Sequence, residues 1–213
     1  MIVLEGKKTS DKLKRWELCL LLAVAAAALL GARLGKEQDD LAEKVIRLHV
    51  VANSDSEQDQ ALKLKVRDAV LAEGGLRLTG LDRDQAVDAL TAALPELGRV
   101  AADTVAAEGY DYPVRVTLGP DQFPTKRYAD FALPAGEYTA LRVELGQGQG
   151  QNWWCVVFPP LCLDAVSEHS AETLAQSGLT DSQVALVTGE TEGYVVKFKA
   201  MELWENFKQS LPW

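Results

Sequence analysis

Residues 138–158 read YTALRVELGQGQGQNWWCVVF, and the reading of this stretch decides the architecture. Its first part alternates. Leu141, Val143 and Leu145 fall on one side and Arg142 and Glu144 on the other, the period of a strand with one buried face. Its last part, Trp153 to Phe158, is a continuous apolar run, which fits a central strand covered on both sides. Between them glycine recurs at every second position. A phosphate-cradling loop requires strand, glycines, then helix, because the N–H groups of the helix N-terminus must face the anion. Here a strand stands on each side, so the glycines form a connection. The spacing predicts a hairpin with Gln147, Gly148 and Gln149 near its tip.

Upstream, VIRLHVVANS (Val45–Ser54) is β-branched and apolar and reads as a buried strand. It ends in the capping cluster Asn53, Ser54, Asp55 and Ser56. The following run places Leu62, Val66, Ala69 and Val70 at helical spacing and stops at Gly74 and Gly75. A second helix is expected over Asp82–Leu94. A third opens at Pro95, a favoured first-turn residue, and ends at Gly109. Strands follow at Pro113–Leu118 and within Phe123–Leu133, then a short helix at Ser170–Gln176. YVVKFK (Tyr194–Lys199) alternates as a strand, and Met201, Trp204, Phe207 and Leu211 line a last helix. The expected fold is therefore α/β in the α+β sense: a mixed, largely antiparallel sheet packed with helices.

The chain of 213 residues carries a net charge of −9, unevenly spread. Lys7, Lys8, Lys12, Lys14 and Arg15 precede LCLLLAVAAAALLGA (Leu18–Ala32), which contains no charged residue. A basic flank before an apolar run is the pattern of a secretory signal or a membrane anchor. Three parts are expected: a signal peptide or anchor over 1–32, a polar tether over 33–44, and a single extracytoplasmic domain over 45–213. Without residues 1–32 the body is about −11. That charge makes nucleic acid a poor partner, since affinity for polyanions comes from counterion release by Lys and Arg.

Few constellations could carry chemistry. Cys155 as a nucleophile needs a base and exposure, and the histidines are His49, in the first strand, and His169. A Cys155–His49 pair requires those two strands to be neighbours. Alternatively Cys155 and Cys162, separated by VVFPPL, pair across the Pro159–Pro160 turn or remain free thiols. The histidines and cysteines match no zinc spacing. Asn53–Asp59 resembles a calcium loop in composition but lacks the glycine and closing glutamate. Asp82 and Asp84 read as helix-start charges. No catalytic set, metal site, cofactor or small-molecule substrate emerges. Trp153 and Trp154 are strand neighbours, so their rings point to opposite faces: one belongs to the core, and the other is either covered by a helix or left for a partner.

HVVANSDSEQDQALKLKVRDAVL (His49–Leu71), FPTKRYADF (Phe123–Phe131) and LPAGEYTALRVELGQGQGQNWWCVVFPPLC (Leu133–Cys162) together resemble the stage II sporulation protein R family. The resemblance implies a signal rather than a catalyst. It implies export from the forespore into the space between the two septal membranes. There, the resemblance implies, the protein triggers a membrane-embedded aspartic protease of the mother cell, which processes the early mother-cell sigma-factor precursor. No catalytic residues come with the resemblance. Expected contacts with the extracytoplasmic face of that protease are Asn53, Asp55, Lys126, Arg127, Trp153 and Trp154. Lys126 and Arg127 are the adjacent cations of the body, suited to an anionic partner. The competing reading is an extracytoplasmic cell-wall hydrolase or thiol enzyme using Cys155.

Overall fold

A computed structural model describes residues 15–75, 77–78, 80–128, 130–162, 170–176, 178–189 and 194–210. The basic flank before Arg15, His169, Leu211 and Trp213 lie outside the described residues. The chain runs α1 (Arg15–Ala42), β1 (Ile46–Val51), α2 (Glu57–Gly75), α3 (Arg83–Ala107), β2 (Val114–Phe123), β3 (Lys126–Arg127), β4 (Ala132–Leu133), β5 (Gly136–Leu145), β6 (Asn152–Phe158), α4 (Ser170–Gln176), α5 (Asp181–Thr188) and α6 (Tyr194–Ser210).

Four strands form one sheet in the order β2-β5-β1-β6. β1 runs parallel to β5 and antiparallel to β6, and β2 is antiparallel to β5. β5 and β6 are therefore not a hairpin, because β1 lies between them. The apolar run Trp153–Phe158 is an edge strand, and the central position belongs to β1, all six residues of which are buried.

The pleat separates two cores. On one face Leu48, Val50, Leu141, Val143, Leu145 and Val157 meet Leu62 and Val66 of α2 and Leu90, Leu97 and Ala101 of α3. Each fully buried leucine there contributes about 1.5–3 kcal/mol. On the other face Phe123, Tyr138, Ala140 and Val156 meet Leu41 and Ala42 of α1, together with Leu133, Leu174, Leu179 and Val187. Arg47, wholly buried, lies on this second face. Its guanidinium carbon sits 4.0 Å from the Phe123 ring centroid and 4.9 Å from that of Tyr138, and Nη2 donates to the Tyr128 hydroxyl at 2.8 Å. Burial pushes the Tyr128 phenol above its ordinary pKa, with Arg47 opposing the rise.

Several expected elements change. The two helices drawn on either side of Pro95 are one. Pro95 sits on the exposed side of α3, where one lost i→i−4 bond is outweighed by the buried stripe Ala86, Leu90, Ala93, Leu97, Ala101 and Val105. That helix begins with a capping box, Asp82 accepting from the Gln85 N–H and Gln85 returning the contact. Residues 33–42, expected as a tether, continue α1 and bury Gln38, Leu41 and Ala42 in the body. YVVKFK is helical: Phe198 and Met201, three apart, face Ala132 and Leu186. Over so short a run, period 2 and helical spacing select overlapping residues.

Candidate functional site

The glycine stretch makes sense only with β1 in the middle. Residues 146–151 must cross over the C-terminal end of β1 to travel from β5 to β6, a span of two strand spacings, or about 9.6 Å. Gly146 and Gly148 are left-handed, with φ of 58° and 60°, a region glycine enters without the steric cost a Cβ brings. At Gly150 an added Cβ would strike the Ser54 carbonyl. The crossing strap is tied to β1 by Gly150 N–H to the Ala52 carbonyl (2.9 Å) and Gln149 N–H to the Asn53 carbonyl (3.2 Å).

Asn53 and Asp55 hold this strap by their side chains. The Gln147 N–H donates to Asn53 Oδ1 at 2.9 Å, and the Gln151 N–H donates to Asp55 Oδ1 at 2.7 Å. Behind them is the buried carboxylate of Asp59, which accepts from Asn53 Nδ2 (2.9 Å), Ser54 Oγ (2.5 Å) and the Tyr112 hydroxyl (3.0 Å). Burial pushes the Asp59 carboxyl up, but hydrogen bonds from Ser54, Asn53, Tyr112 and Ser56 outweigh it and hold it below the ordinary carboxylate range. Lys63, buried, reaches from α2 to the Gln151 carbonyl (2.9 Å) and Gln60 Oε1 (2.6 Å). The calcium-like segment is thus an internal clasp, with Asp59 turned inward.

The edge strand β6 gathers the other expected residues. Trp153, 37% exposed, lies under the α2 guanidinium of Arg67, 4.4 Å from its ring centroid. Trp154, on the opposite face, carries the ammonium of Lys126 at 4.4 Å. Each such contact contributes about 0.5–1 kcal/mol at a partly exposed site. The Tyr128 hydroxyl donates to the Trp154 carbonyl at 3.4 Å. Arg127, paired across from Ala132, is exposed beside Tyr128 and Asp130. Lys126 is thereby joined to Trp154, whereas Asn53 and Asp55 lie at the strap at the start of the same strand.

Next to Trp154 is a polar cluster that the sequence reading overlooked. His49 stacks on Trp154, with ring centroids 5.8 Å apart, and contacts Asp121 Oδ2 through Nδ1 (2.5 Å) and Asn152 Oδ1 through Nε2 (2.8 Å). Arg142 reaches Asp121 (3.3 Å) and Glu144 (3.3 Å). Burial raises the Asp121 carboxyl; the His49 hydrogen bond and charge, with Arg142, override it and leave the pKa lowered. Arg47 and His49, two apart in an otherwise apolar strand, were the available signal, since period 2 puts both on one face.

The same alternation separates Cys155 from His49. β1 and β6 are neighbours, but Cys155 pairs with Leu48 and Trp154 with His49, so thiol and imidazole stand on opposite faces. Cys155 is bonded to Cys162, with Cα atoms 5.7 Å apart. Among the described residues no group of three or more His, Cys, Asp or Glu side chains could hold a metal ion.

These features define an α+β body that buries Arg47, His49, Asp59 and Lys63, preceded, among the described residues, by an N-terminal helix long and apolar enough to cross a membrane. The chain belongs to the stage II sporulation protein R family, whose model matches residues 42–168. It is 40% identical over 182 residues to the stage II sporulation protein R of Bacillus subtilis (strain 168), covering 77% of this chain and 81% of that protein. No solved structure matches.

Proposed function

We propose that this protein is an exported sporulation signal. Its folded body, on the extracytoplasmic side, engages a membrane-embedded aspartic protease of the mother cell and shifts it toward its active state, so that the early mother-cell sigma-factor precursor is processed. A partner shifts such an equilibrium only by binding one state more tightly than the other, so the message resides in a surface. The observation that carries this reading is the state of Cys155 and His49. The sulfur is bonded to Cys162, and the imidazole is engaged on the other face by Asp121 and Asn152. Neither is poised as nucleophile or base, which argues against the thiol-enzyme alternative. The exposed apolar residues of α1, from Trp16 to Leu30, support membrane targeting.

The receptor-facing surface in this reading is the β6 edge, with Trp153, Trp154, Lys126 and Arg127. Asn53 and Asp55 shape it from the strap. The test is co-expression of the full chain with the protease and the sigma-factor precursor in a non-sporulating host. Processing should require this chain, survive Cys155→Ala and Cys162→Ala equally, and fall with Trp153→Ala at unchanged protein level. Processing indifferent to the chain, or purified chain degrading cell-wall material unaided, overturns the proposal.

A further inference from the structure

α1 and α6 pack antiparallel, and the contact sits at the edge of the apolar run. Lys197 Nζ lies 3.7 Å from Glu37 Oε2, while seven residues further along α6 the Trp204 indole fills the notch left by Gly31 and Gly35. A Cβ on Gly31 would lie 2.6 Å from two Trp204 ring carbons. As α6 advances, its neighbours on α1 recede from Glu37 toward Gly31. α6 therefore descends along α1 toward Leu29 and Leu30, both exposed, and Phe207 comes level with them.

α6 also carries an apolar stripe facing away from the body. Leu203 is 61% and Phe207 52% exposed, whereas Phe198 and Met201 are buried. At 3.6 residues per turn Leu203 and Phe207 lie roughly 40° apart, on the side of the helix away from Phe198 and Met201. The uncharged run of α1, Leu18–Ala32, is about 22 Å long at 1.5 Å per residue, against a hydrocarbon core of about 30 Å. A run this short is accommodated by thinning of the bilayer and snorkelling of flanking residues, both of which bring the surface beside the run close to the headgroup layer. The surface flanking α1 at that end is the descending tip of α6.

We propose that the last turns of α6 seat Leu203 and Phe207 in the headgroup–acyl boundary of the bilayer that α1 enters, so that the two helices together fix the folded body against the membrane surface. The occupant of the stripe is lipid, as for an interfacial amphipathic helix. This rests on the reading that the apolar half of α1 enters a membrane.

The full chain, disulfide intact, is reconstituted in phosphatidylethanolamine–phosphatidylglycerol vesicles. An environment-sensitive fluorophore is placed at Leu203→Cys, Phe207→Cys or the exposed α3 position Thr91→Cys, each in a Cys19→Ala background. Native Cys19, exposed in the apolar helix, carries the label that reports on α1. A shallow nitroxide lipid should quench the labels at 203 and 207 several-fold more than the label at 91, with iodide in the opposite order. Labels at 203 and 207 that behave like the one at 91 overturn the proposal. So does shielding from both quenchers that scales with protein-to-lipid ratio, which would mean a second copy covers the stripe. If lipid quenches Cys19 but not 203 and 207, only the α6 placement fails. If Cys19 escapes lipid quenching, the membrane reading of α1 fails with it.

Discussion

Asn53→Ala tests the claim that the strap over β1 is held from below. The substitution removes the acceptor of the Gln147 N–H and a donor to the buried Asp59 carboxylate. A neutral hydrogen bond contributes about 1 kcal/mol and one to a buried charge about 1.5–3 kcal/mol. Water can replace the first, which is exposed, but not the second, so the net loss should be about 1.5–3 kcal/mol. For a chain of this size each kcal/mol lowers Tm by about 2–4 °C, giving a drop of about 3–12 °C. The assay is thermal unfolding of the full chain in mild detergent followed by circular dichroism, with hydrogen exchange read on a peptide covering residues 146–151. The exchange should accelerate at the strap well before the sheet. A loss below about 0.5 kcal/mol, the scale of an ordinary surface substitution, with the strap amides still protected, would refute the reasoning. At temperatures where the variant is folded, signalling should fall only as far as the strap loosens.

Three further outcomes follow from the same structure. Cys155→Ala and Cys162→Ala should each destabilise by about 2.4 kcal/mol, the loop-closure value for cysteines seven residues apart, and by the same amount, as read by urea unfolding; unequal losses would argue against a shared bond. Asp59 and Asp121 both have folded-state pKa values below their unfolded ones, so their stabilisation is complete above the unfolded value near pH 4 and is lost as pH falls through the lower folded values. Asp59→Asn should therefore flatten the acid limb of stability below about pH 4, measured by unfolding midpoint against pH, while an unchanged acid limb would remove Asp59 from that role. Arg47→Ala, which empties a wholly buried site between Phe123 and Tyr138, should lose about 3 kcal/mol or more, with Arg47→Met recovering most of it because the apolar stem is restored.

What the sequence determined by itself was local. The period-2 faces of β5, the helical stripe of α2, the capping box at Asp82 and the apolar run of α1 all depend on neighbours within one or two turns or pleats, so they can be read from spacing. α5 was legible in the same way, through Thr180 and Gln183 reciprocating across its first turn and left-handed Gly189 ending it, but it was overlooked. The family, too, was carried by residue strings. Strand order was another matter. Residues 138–158 read as a hairpin because adjacent strands joined by a short glycine-rich link usually pair, and nothing local announces that β1, some 90 residues upstream, will take the place between them. Only the tertiary structure decided that insertion, since the gain comes from burying both faces of β1, a long-range quantity. From it follow the strap and its clasp at Asn53 and Asp55, the exposure of β6 as an edge, the meeting of Lys126 with Trp154, and the separation of His49 from Cys155 by a single step of register. Helix α6 was decided the same way: six alternating residues fit either period, and the burial of Phe198 and Met201 with Trp204 wedged against Gly31 selected the helix.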